Sequence, residues 1–465
     1  MMKKVETIIK DNMMSYSAYV LLHRALPSLE DGLKISHRRI LWAMHKEKAT
    51  RFVKSANLCG STTAYHPHGD VYPTLVNLTQ TDRHLSPFII GKGNFGQKTS
   101  RDLQEGASRY TEAKLSPLAI DSMQNFDKDI VDFVPNYDGT LSMPVHLPVR
   151  FPNILTMANE GIGVGMSSNT PSFNLKEVCE ATEHYINTGE HIELIPDFAT
   201  GGFIEVIDEE INKMNKTGKG SVKLRSNMSV VGKNQLEVTE IPYTTTREAI
   251  IEKIIDLTKQ GKLPVSNVQD LTGLKGQRIL ITAKRGTDIE ELQKDLYKLT
   301  PLETTYTSNM NILVDGLPKV LGTHEIIEKW VVWRSECIKR GISYDIKQLE
   351  KKLHILYGMR SILSNLDRVI EIIRFEEEER IDPMLMKEFN LTEQQSVEIS
   401  KMRLRDISKK NIEKKIQEIA DLERKLAMYT YVLNHKEEID KVVVNGLRNS
   451  VKTFGKDRKT KIIKN

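Results

Sequence analysis

An arginine stands directly before a tyrosine, Arg109-Tyr110, inside the polar stretch ASRYTE (residues 107–112). A phenol with a pKa of about 10 is a poor nucleophile until that value is lowered or its proton is removed. Arginine is permanently cationic and grips phosphate with two donors. Attack on a phosphodiester builds negative charge on the non-bridging oxygens, and that charge must be neutralised. Besides Arg109, the groups able to do so are Arg24 and the His66/His68 pair of YHPHGD (residues 65–70). Lys34, His37 and Arg38 follow Arg24 in the basic segment DGLKISHRR (residues 31–39).

Other patterns imitate known sites without completing them. His66-Pro67-His68 offers two nitrogen ligands, too few for zinc, and no cysteine sits at a usable spacing. GKGNFG (residues 91–96) matches GxGxxG, but a dinucleotide site needs a helix starting in the glycine loop. The residues after it, QKTSRDLQEGAS, are polar and loop-like, so the motif reads as a structural loop beneath the tyrosine. Gly161, Gly163 and Gly165 around Ile162 suggest close backbone approach, not a cofactor cradle. No GxxxxGK[ST] loop for ATP occurs.

These residues need elements to hold them. Ile8, Ile9 and Met13 have helical spacing, and residues 1–30 read as an N-terminal helical segment. Residues 33–44 predict a helix with Lys34, His37 and Arg38 on one face, the kind of basic helix that docks on DNA in helix-turn-helix modules. Strand-like runs at 201–207, 221–226, 235–241 and 278–284, with a helix-like REAIIEKIIDLTKQ between the last two, indicate an α/β domain. From Thr323 the period is helical. Ile346, Leu349, Leu353 and Leu356 form one stripe, and Ile412, Ile416, Ile419, Leu422, Leu426 and Tyr429 form another, as in an antiparallel coiled coil. Between them Pro383 breaks the pattern and marks a small helical head.

The composition is that of an ordinary globular chain: 465 residues, 39% hydrophobic, 28% charged, and no apolar run long enough for a membrane span. The three cysteines, Cys59, Cys179 and Cys337, lack paired spacing, which argues against disulfides and zinc. The net charge of +5 is unevenly spread. Residues 24–54 carry eight Lys/Arg against three acids, and the stretch after Val451 carries six against one. Such clusters suit a phosphate backbone or simply a solvated basic face. The second cluster reads as a flexible tail.

Taken in order, RALPSLEDGLKISHRRILWAM (24–44), YHPHGD, GKGNFGQ, ASRYTE, VDFVPNYDGT (131–140), FPNILTMANEGIGVGMSSNTPSFNL (151–175), VTEIPYTTTREAIIEKI (238–254) and LTEQQSVEISKMRLRDIS (391–408) resemble the breakage-reunion core of type IIA DNA topoisomerase A subunits. That family comprises the A subunits of bacterial gyrase and topoisomerase IV. The resemblance implies an α+β multidomain chain. Its parts are an N-terminal helical segment (1–30), a winged-helix domain with the catalytic tyrosine (31–150), a tower domain (151–322), a coiled coil with a dimerisation head (323–450) and a basic tail (451–465). It implies Tyr110 as nucleophile, Arg109 as its phosphate partner, and Arg24 and His68 as transition-state and phosphate ligands. Lys34, His37, Arg38 and His66 are implied as DNA contacts, and Ile162 as a wedge between base pairs. Asp127-Lys128-Asp129 falls at a variable acidic turn and reads as surface. Mg²⁺ and ATP are expected on a gyrase B-like Toprim/ATPase partner, in an A₂B₂ assembly acting on double-stranded DNA in the cytoplasm.

Two departures stand out. Asp70 runs straight into Val71-Tyr72-Pro73, about two residues shorter than usual and without the serine that contacts quinolone drugs; Lys92 replaces the usual glutamine. The sequence stops at TFGKDRKTKIIKN, where the family's catalytic core ends and before its DNA-wrapping pinwheel. On the resemblance this favours relaxation and decatenation over negative supercoiling, as in a compact bacteriophage version or a truncated bacterial protein. The competing expectation is a non-catalytic, architectural DNA-binding coiled-coil protein.

Overall fold

In the computed structural model, residues 5–67, 71–273, 276–403 and 409–464 are described. The described residues fall into two compact units. The first holds the chain up to Phe126, Val131–Arg334 and the stretch from Val443 onward; the second holds Asp127–Ile130 and Ser335–Val442.

In the first unit a helix at Val5–Val20 widens into a π-helical turn, Leu21–Ala25. Three helices come next: Ile35–Lys46, Ser55–Thr63 and Tyr72–Thr79. Ile40, Leu41 and Met44 of the first are buried, and Pro73 sits in the first turn of the third, where its missing N–H is not needed. Against these helices lies a three-stranded antiparallel sheet ordered Val53–Lys54, Glu112–Leu115, Ile89–Lys92. The strands Ile89–Lys92 and Glu112–Leu115 are joined by the long loop that contains Tyr110.

The strand runs anticipated at 201–207, 221–226, 235–241 and 278–284 are all strands, and Arg247–Lys259 is a helix. Their assembly differs from a single alternating α/β layer. A six-stranded sheet runs Lys461–Lys464, Phe203–Val206, Lys219–Arg225, Glu303–Asn309, Ser167–Thr170, Asn159–Ile162, antiparallel except for its first pair. A separate four-stranded antiparallel sheet runs Asn227–Val230, Gln235–Glu240, Ile279–Ala283, Val265–Asp270. Ile250, Ile254 and Leu257 of one helix and Leu292 and Leu296 of another pack with its Leu236, Val238, Ile279 and Ile281. The Glu303–Asn309 strand escapes a hydrophobicity reading because only its Tyr306 and Ser308 are buried.

The C-terminal stretch is a correction. It is not a loose basic tail. Lys461–Lys464 adds a parallel strand to Phe203–Val206, and Arg458 pairs with Glu177 at 2.9 Å while donating to the carbonyls of Ile195 and Pro196. The backbone N–H groups of Lys459 and Thr460 are taken by the buried carboxylate of Asp197. Two of the six cations counted there thus have internal uses, Arg458 as an ion pair and Lys459 as a donor to the Ala199 carbonyl.

In the second unit the 39-residue helix Thr323–Ser361, which begins in the first unit, packs its Leu353 and Leu356 with Ile419, Leu422 and Leu426 of the helix Lys409–Asn434. Lys352–Glu418 at 2.5 Å and the Tyr357 hydroxyl to Glu423 at 2.7 Å tie the same pair. Short helices replace the long ones around Pro383, as expected of a small helical head, but the proline itself does not end a helix. It lies inside the helix Glu378–Phe389, which ends at Asn390 with φ of 51°. The lost N–H releases one carbonyl near the helix start, while Leu385 stays fully buried beside Val369, Ile372, Leu391 and Ile399. Residues 404–408 of the LTEQQ…RDIS segment lie outside the described residues.

Candidate functional site

Tyr110 sits at the end of a tight turn closed by its own N–H on the Ala107 carbonyl, 2.8 Å away. The ring is 69% exposed, and the Arg109 guanidinium lies 4.6 Å from its centroid. The turn is exposed but not loose. Ser55 N–H donates to the Thr111 carbonyl at 3.0 Å and Ala56 N–H to the Ser108 carbonyl at 3.2 Å, so the start of the Ser55–Thr63 helix holds both flanks of the tyrosine. Tyr72 supplies a second brace. Its hydroxyl donates to the Gly106 carbonyl at 2.5 Å and shares a hydrogen bond with the Thr111 hydroxyl at 2.9 Å, which in turn donates to Ser55 Oγ at 2.8 Å.

The glycine loop lies where the sequence put it. Residues 94–97 run alongside 103–106, joined by Gly106 N–H to the Asn94 carbonyl, Asn94 Nδ2 to the Gln104 carbonyl and Gln97 N–H to the Leu103 carbonyl. Gly93 is so close to Tyr110 that a side chain there would touch the tyrosine's carbonyl oxygen at 3.4 Å. Lys92, in place of the usual glutamine, bonds Glu112 at 3.2 Å across the sheet while Lys54 takes the other oxygen of the same carboxylate at 2.9 Å. Those two ammonium groups hold the Glu112 carboxyl below the usual range.

A second group forms around Arg24. This arginine is exposed on the π-helical turn, which packs on the strand Asn159–Ile162. A Cβ on Gly161 would run into the Ala25 carbonyl oxygen, so the close approach expected of the glycine-spaced segment is made there. Ile162, the next residue, is 90% exposed. An isoleucine so bare at the end of a fixed strand is not a core residue. Lys34 joins this group by donating to the Glu160 carbonyl at 2.6 Å; burial, together with Arg83 and Arg24, pushes its ammonium pKa down to about 8 despite the Glu160 carboxylate. The Glu160 side chain meets Lys98, from the loop under Tyr110, at 3.5 Å. Glu160 therefore links the strand of Ile162 to the loop of Tyr110. No hydrogen bond or ion pair joins Arg109 or Tyr110 directly to Arg24 or Lys34 among the described residues.

His37 and Arg38 are not on an exposed face. His37 is buried with Nδ1 unpartnered, and burial plus the charges of Lys34, His84, Arg38 and Arg83 keep it neutral, its pKa well below the usual value. Arg38 is 4% exposed and engaged through two of its three nitrogens: Nε on Asp31 Oδ2 at 2.7 Å, and Nη2 on Asp31 Oδ1, Ser28 Oγ and the Leu33 carbonyl. Asp31 also accepts from the N–H groups of Leu33 and Leu147. Burial pushes the Asp31 carboxyl up, but the Arg38 guanidinium and these donors more than offset it and leave it below the usual range. His66 is half-buried, and His68 lies outside the described residues.

The sequence model of the DNA gyrase/topoisomerase IV A-subunit family matches residues 24–448, nearly the whole chain. The chain belongs to that family. It is 36% identical over 482 residues to the DNA gyrase A protein of Borrelia hermsii, covering 99% of this chain and 59% of the relative. It is 37% identical to the A chain of DNA topoisomerase 4 from Rickettsia conorii, covering 97% and 64%, and 37% identical to the DNA gyrase A protein of Ureaplasma parvum, covering 99% and 56%. The chain thus spans little more than half the length of these curated relatives. Within the family frame, Tyr72, Lys98 and Glu160 are residues that sequence reasoning passed over. Tyr72 had a signal, since it lies just after YHPHGD; the link through Glu160 joins segments 62 residues apart and had none.

Proposed function

We propose that this chain is the DNA cleavage-and-rejoining component of a type IIA topoisomerase. The observation that carries this is Tyr110, exposed, paired with Arg109 and braced from below on both sides. The Tyr110 oxygen attacks the phosphorus of a DNA phosphodiester as its proton leaves to a base. An O–P bond to the tyrosine forms, the bond to the 3′ oxygen breaks, and that oxygen takes up a proton. The 5′ end is left on the tyrosine. The ester bond energy is retained, so the reverse attack by the 3′ hydroxyl restores the duplex. Two copies cutting opposite strands open a gate for a second duplex.

Arg109 stabilises the phenolate and the charged phosphorane-like oxygens. Arg24 and His68 serve as further phosphate ligands, with Lys34 and His66 along the backbone. Arg38 is a positioning residue on this reading: with Nε and Nη2 bonded to Asp31, Ser28 and Leu33, it holds the loop from which Lys34 projects. Ile162 wedges between base pairs, unstacking a step for a few kcal/mol that the wrapped surface recovers, roughly as apolar wedges do elsewhere. Its exposure and the fixed backbone beneath it support that role.

The helices and three-stranded sheet of residues 31–150 make a winged-helix domain, the two sheets of 151–322 a tower, and the paired helices of 323–450 a coiled coil with a dimerisation head. Mg²⁺ and ATP belong to a Toprim/ATPase partner in an A₂B₂ assembly, where the ion would supply Lewis-acid assistance to the 3′ oxygen. Among the described residues of this chain no three His, Cys, Asp or Glu side chains gather in a way that could hold an ion. No described helix is long and apolar enough to cross a membrane.

The test mixes the chain with a cognate Toprim/ATPase partner, Mg²⁺ and supercoiled plasmid, and quenches with detergent. Linear DNA carrying protein on its 5′ ends, mapped to Tyr110 by mass spectrometry, is the expected result. Tight DNA binding without any adduct, beside a demonstrably active partner, would favour an architectural protein instead. Replacing Ile162 with Ala should reduce DNA bending measured by fluorescence transfer; unchanged bending sinks the wedge assignment.

A further inference from the structure

The strand Asn159–Ile162 is held by three sets of contacts, and each leads to a different part of the site. Its backbone pairs with Ser167–Thr170, which sets Glu160 opposite Asn169. The Asn169 side chain accepts from the Tyr306 hydroxyl at 2.7 Å and donates to the Thr307 carbonyl at 2.6 Å, fixing this edge of the six-stranded sheet. Gly161 abuts the Ala25 carbonyl, beside Arg24, and the Glu160 carbonyl takes Lys34. The Glu160 carboxylate meets Lys98 at 3.5 Å. Lys98 is itself firmly seated. Its ammonium donates to the Tyr243 carbonyl at 2.9 Å and lies 3.8 Å from the Tyr243 ring centroid.

From Lys98 towards Tyr110 the loop is bonded at short intervals. The Thr99 N–H and hydroxyl go to Asp82, the Ser100 hydroxyl and Arg101 N–H to Glu248, and the Gly106 N–H to the Asn94 carbonyl. Lys98 thus belongs to the same stiff segment as the tyrosine. Charge holds the pair together. Burial lowers the Lys98 ammonium pKa and Arg83 acts the same way, while the Glu160 carboxylate opposes both. Asp82 helps less, since its carboxylate is already bonded to Thr99. We infer that Glu160 is a positioning residue that couples seating of the Ile162 wedge to alignment of Tyr110 for attack. The inference rests on the cleavage reading above. Ile162 entering the duplex loads the strand Asn159–Ile162, and Glu160, two residues earlier, passes that load to Lys98 and the loop of the nucleophile. Rates are sensitive to such placement, because an error of about 1 Å can cost about a hundredfold.

The experiment uses the full chain with its cognate Toprim/ATPase partner, Mg²⁺ and a short duplex carrying a donor and an acceptor dye. Bending is read by fluorescence transfer and adduct formation by quenched time points, at saturating protein and equal folded fraction. Glu160→Gln, a neutral isostere at a half-exposed position, should leave bending at the wild-type level. It should slow adduct formation about tenfold, between the loss of an exposed ion pair and that of a 1 Å misplacement. Lys98→Met should show the same split, and the double variant should be no slower than either single one. In the Ile162→Ala background, which has no wedge to seat, Glu160→Gln should change nothing further. If Lys98→Met does not fold, the Ile162 and Glu160 variants carry the cycle. A Glu160→Gln chain that cuts at the wild-type rate, bending lost in step with cutting, or additive losses in the cycle would each overturn the coupling and leave the cleavage role standing. A wild-type chain that forms no adduct would overturn both.

Discussion

Arg109–Tyr110 and Asp31–Arg38 are both short, charged and central to the family pattern, and the molecule uses them in opposite ways. Tyr110 is left bare, while the turn that carries it is tied down by Ser55, Ala56 and Tyr72. Asp31 and Arg38 are buried and bonded to one another. The difference teaches that a dense motif mixes two kinds of residue. Some meet the substrate, and others over-determine the backbone that presents them. Side-chain chemistry alone does not tell the two apart, because an arginine suits a phosphate and a buried carboxylate equally well.

The sharpest way to break this comparison is to remove one oxygen. Tyr110→Phe should bring the covalent DNA adduct below detection, while stability in urea changes by less than about 0.5 kcal/mol, as for other exposed substitutions. Adduct surviving in Y110F would end the assignment of the nucleophile. Asp31→Asn should do the reverse. Leaving Arg38 buried without its counter-charge destabilises by about 3–5 kcal/mol, with the adduct formed per folded molecule unchanged. Adding Arg38→Met to D31N should recover part of that loss. Were D31N to weaken DNA binding at full stability, Arg38 would belong with the phosphate ligands after all.

How much of this was legible beforehand depends on what periodicity and motifs encode. The strands at 219–225, 235–240 and 279–283 alternate and that at 203–206 is a short apolar-rich run, so they could be read; Glu303–Asn309 is mostly polar and could not. Tyr110 was legible from its neighbours in order, and Ile162 from its place among glycines. The burial of His37 and Arg38 was not, because the partner that consumes Arg38 is seven residues away and is itself an acid in a basic segment. The fate of the C-terminal stretch was hidden for another reason. Its anchors Glu177, Asp197 and Phe203–Val206 lie more than 250 residues upstream, and no local pattern carries that pairing.

Tyr72 sits between the two extremes, buried but serving the exposed turn. Removing its hydroxyl in Tyr72→Phe leaves the Gly106 carbonyl and Thr111 hydroxyl short of a partner, which should destabilise the fold by about 1–3 kcal/mol. The rate of adduct formation, measured at equal folded fraction, should fall as well, since Thr111 adjoins Tyr110. A loss confined to stability would make Tyr72 a core residue and nothing more.

A change of slope with pH tests whether the buried region is neutral beyond the Asp31–Arg38 pair. Glu30 and His146 approach to 3.3 Å beside Asp31, yet burial raises the Glu30 carboxyl to about 7 and lowers the His146 imidazole to about 4. Between those values both are uncharged. The signs oppose each other. A raised Glu30 binds more protons folded than unfolded from about 4.5 to about 7, so its contribution falls as pH rises through that window. A lowered His146 binds fewer protons folded from about 4 to about 6.5, so its contribution climbs with pH. The intact chain should therefore show little slope from this pair where the windows overlap. Glu30→Gln deletes the falling term, and unfolding free energies from urea titrations between pH 4 and 6.5 should then climb by up to about 1.4 kcal/mol per pH unit, the limit for a single proton. A flat E30Q profile would mean that His146 carries a charge in the folded chain. The interior beside Asp31 would then be ionic throughout, and the contrast with the open turn at Tyr110 would rest on contacts alone.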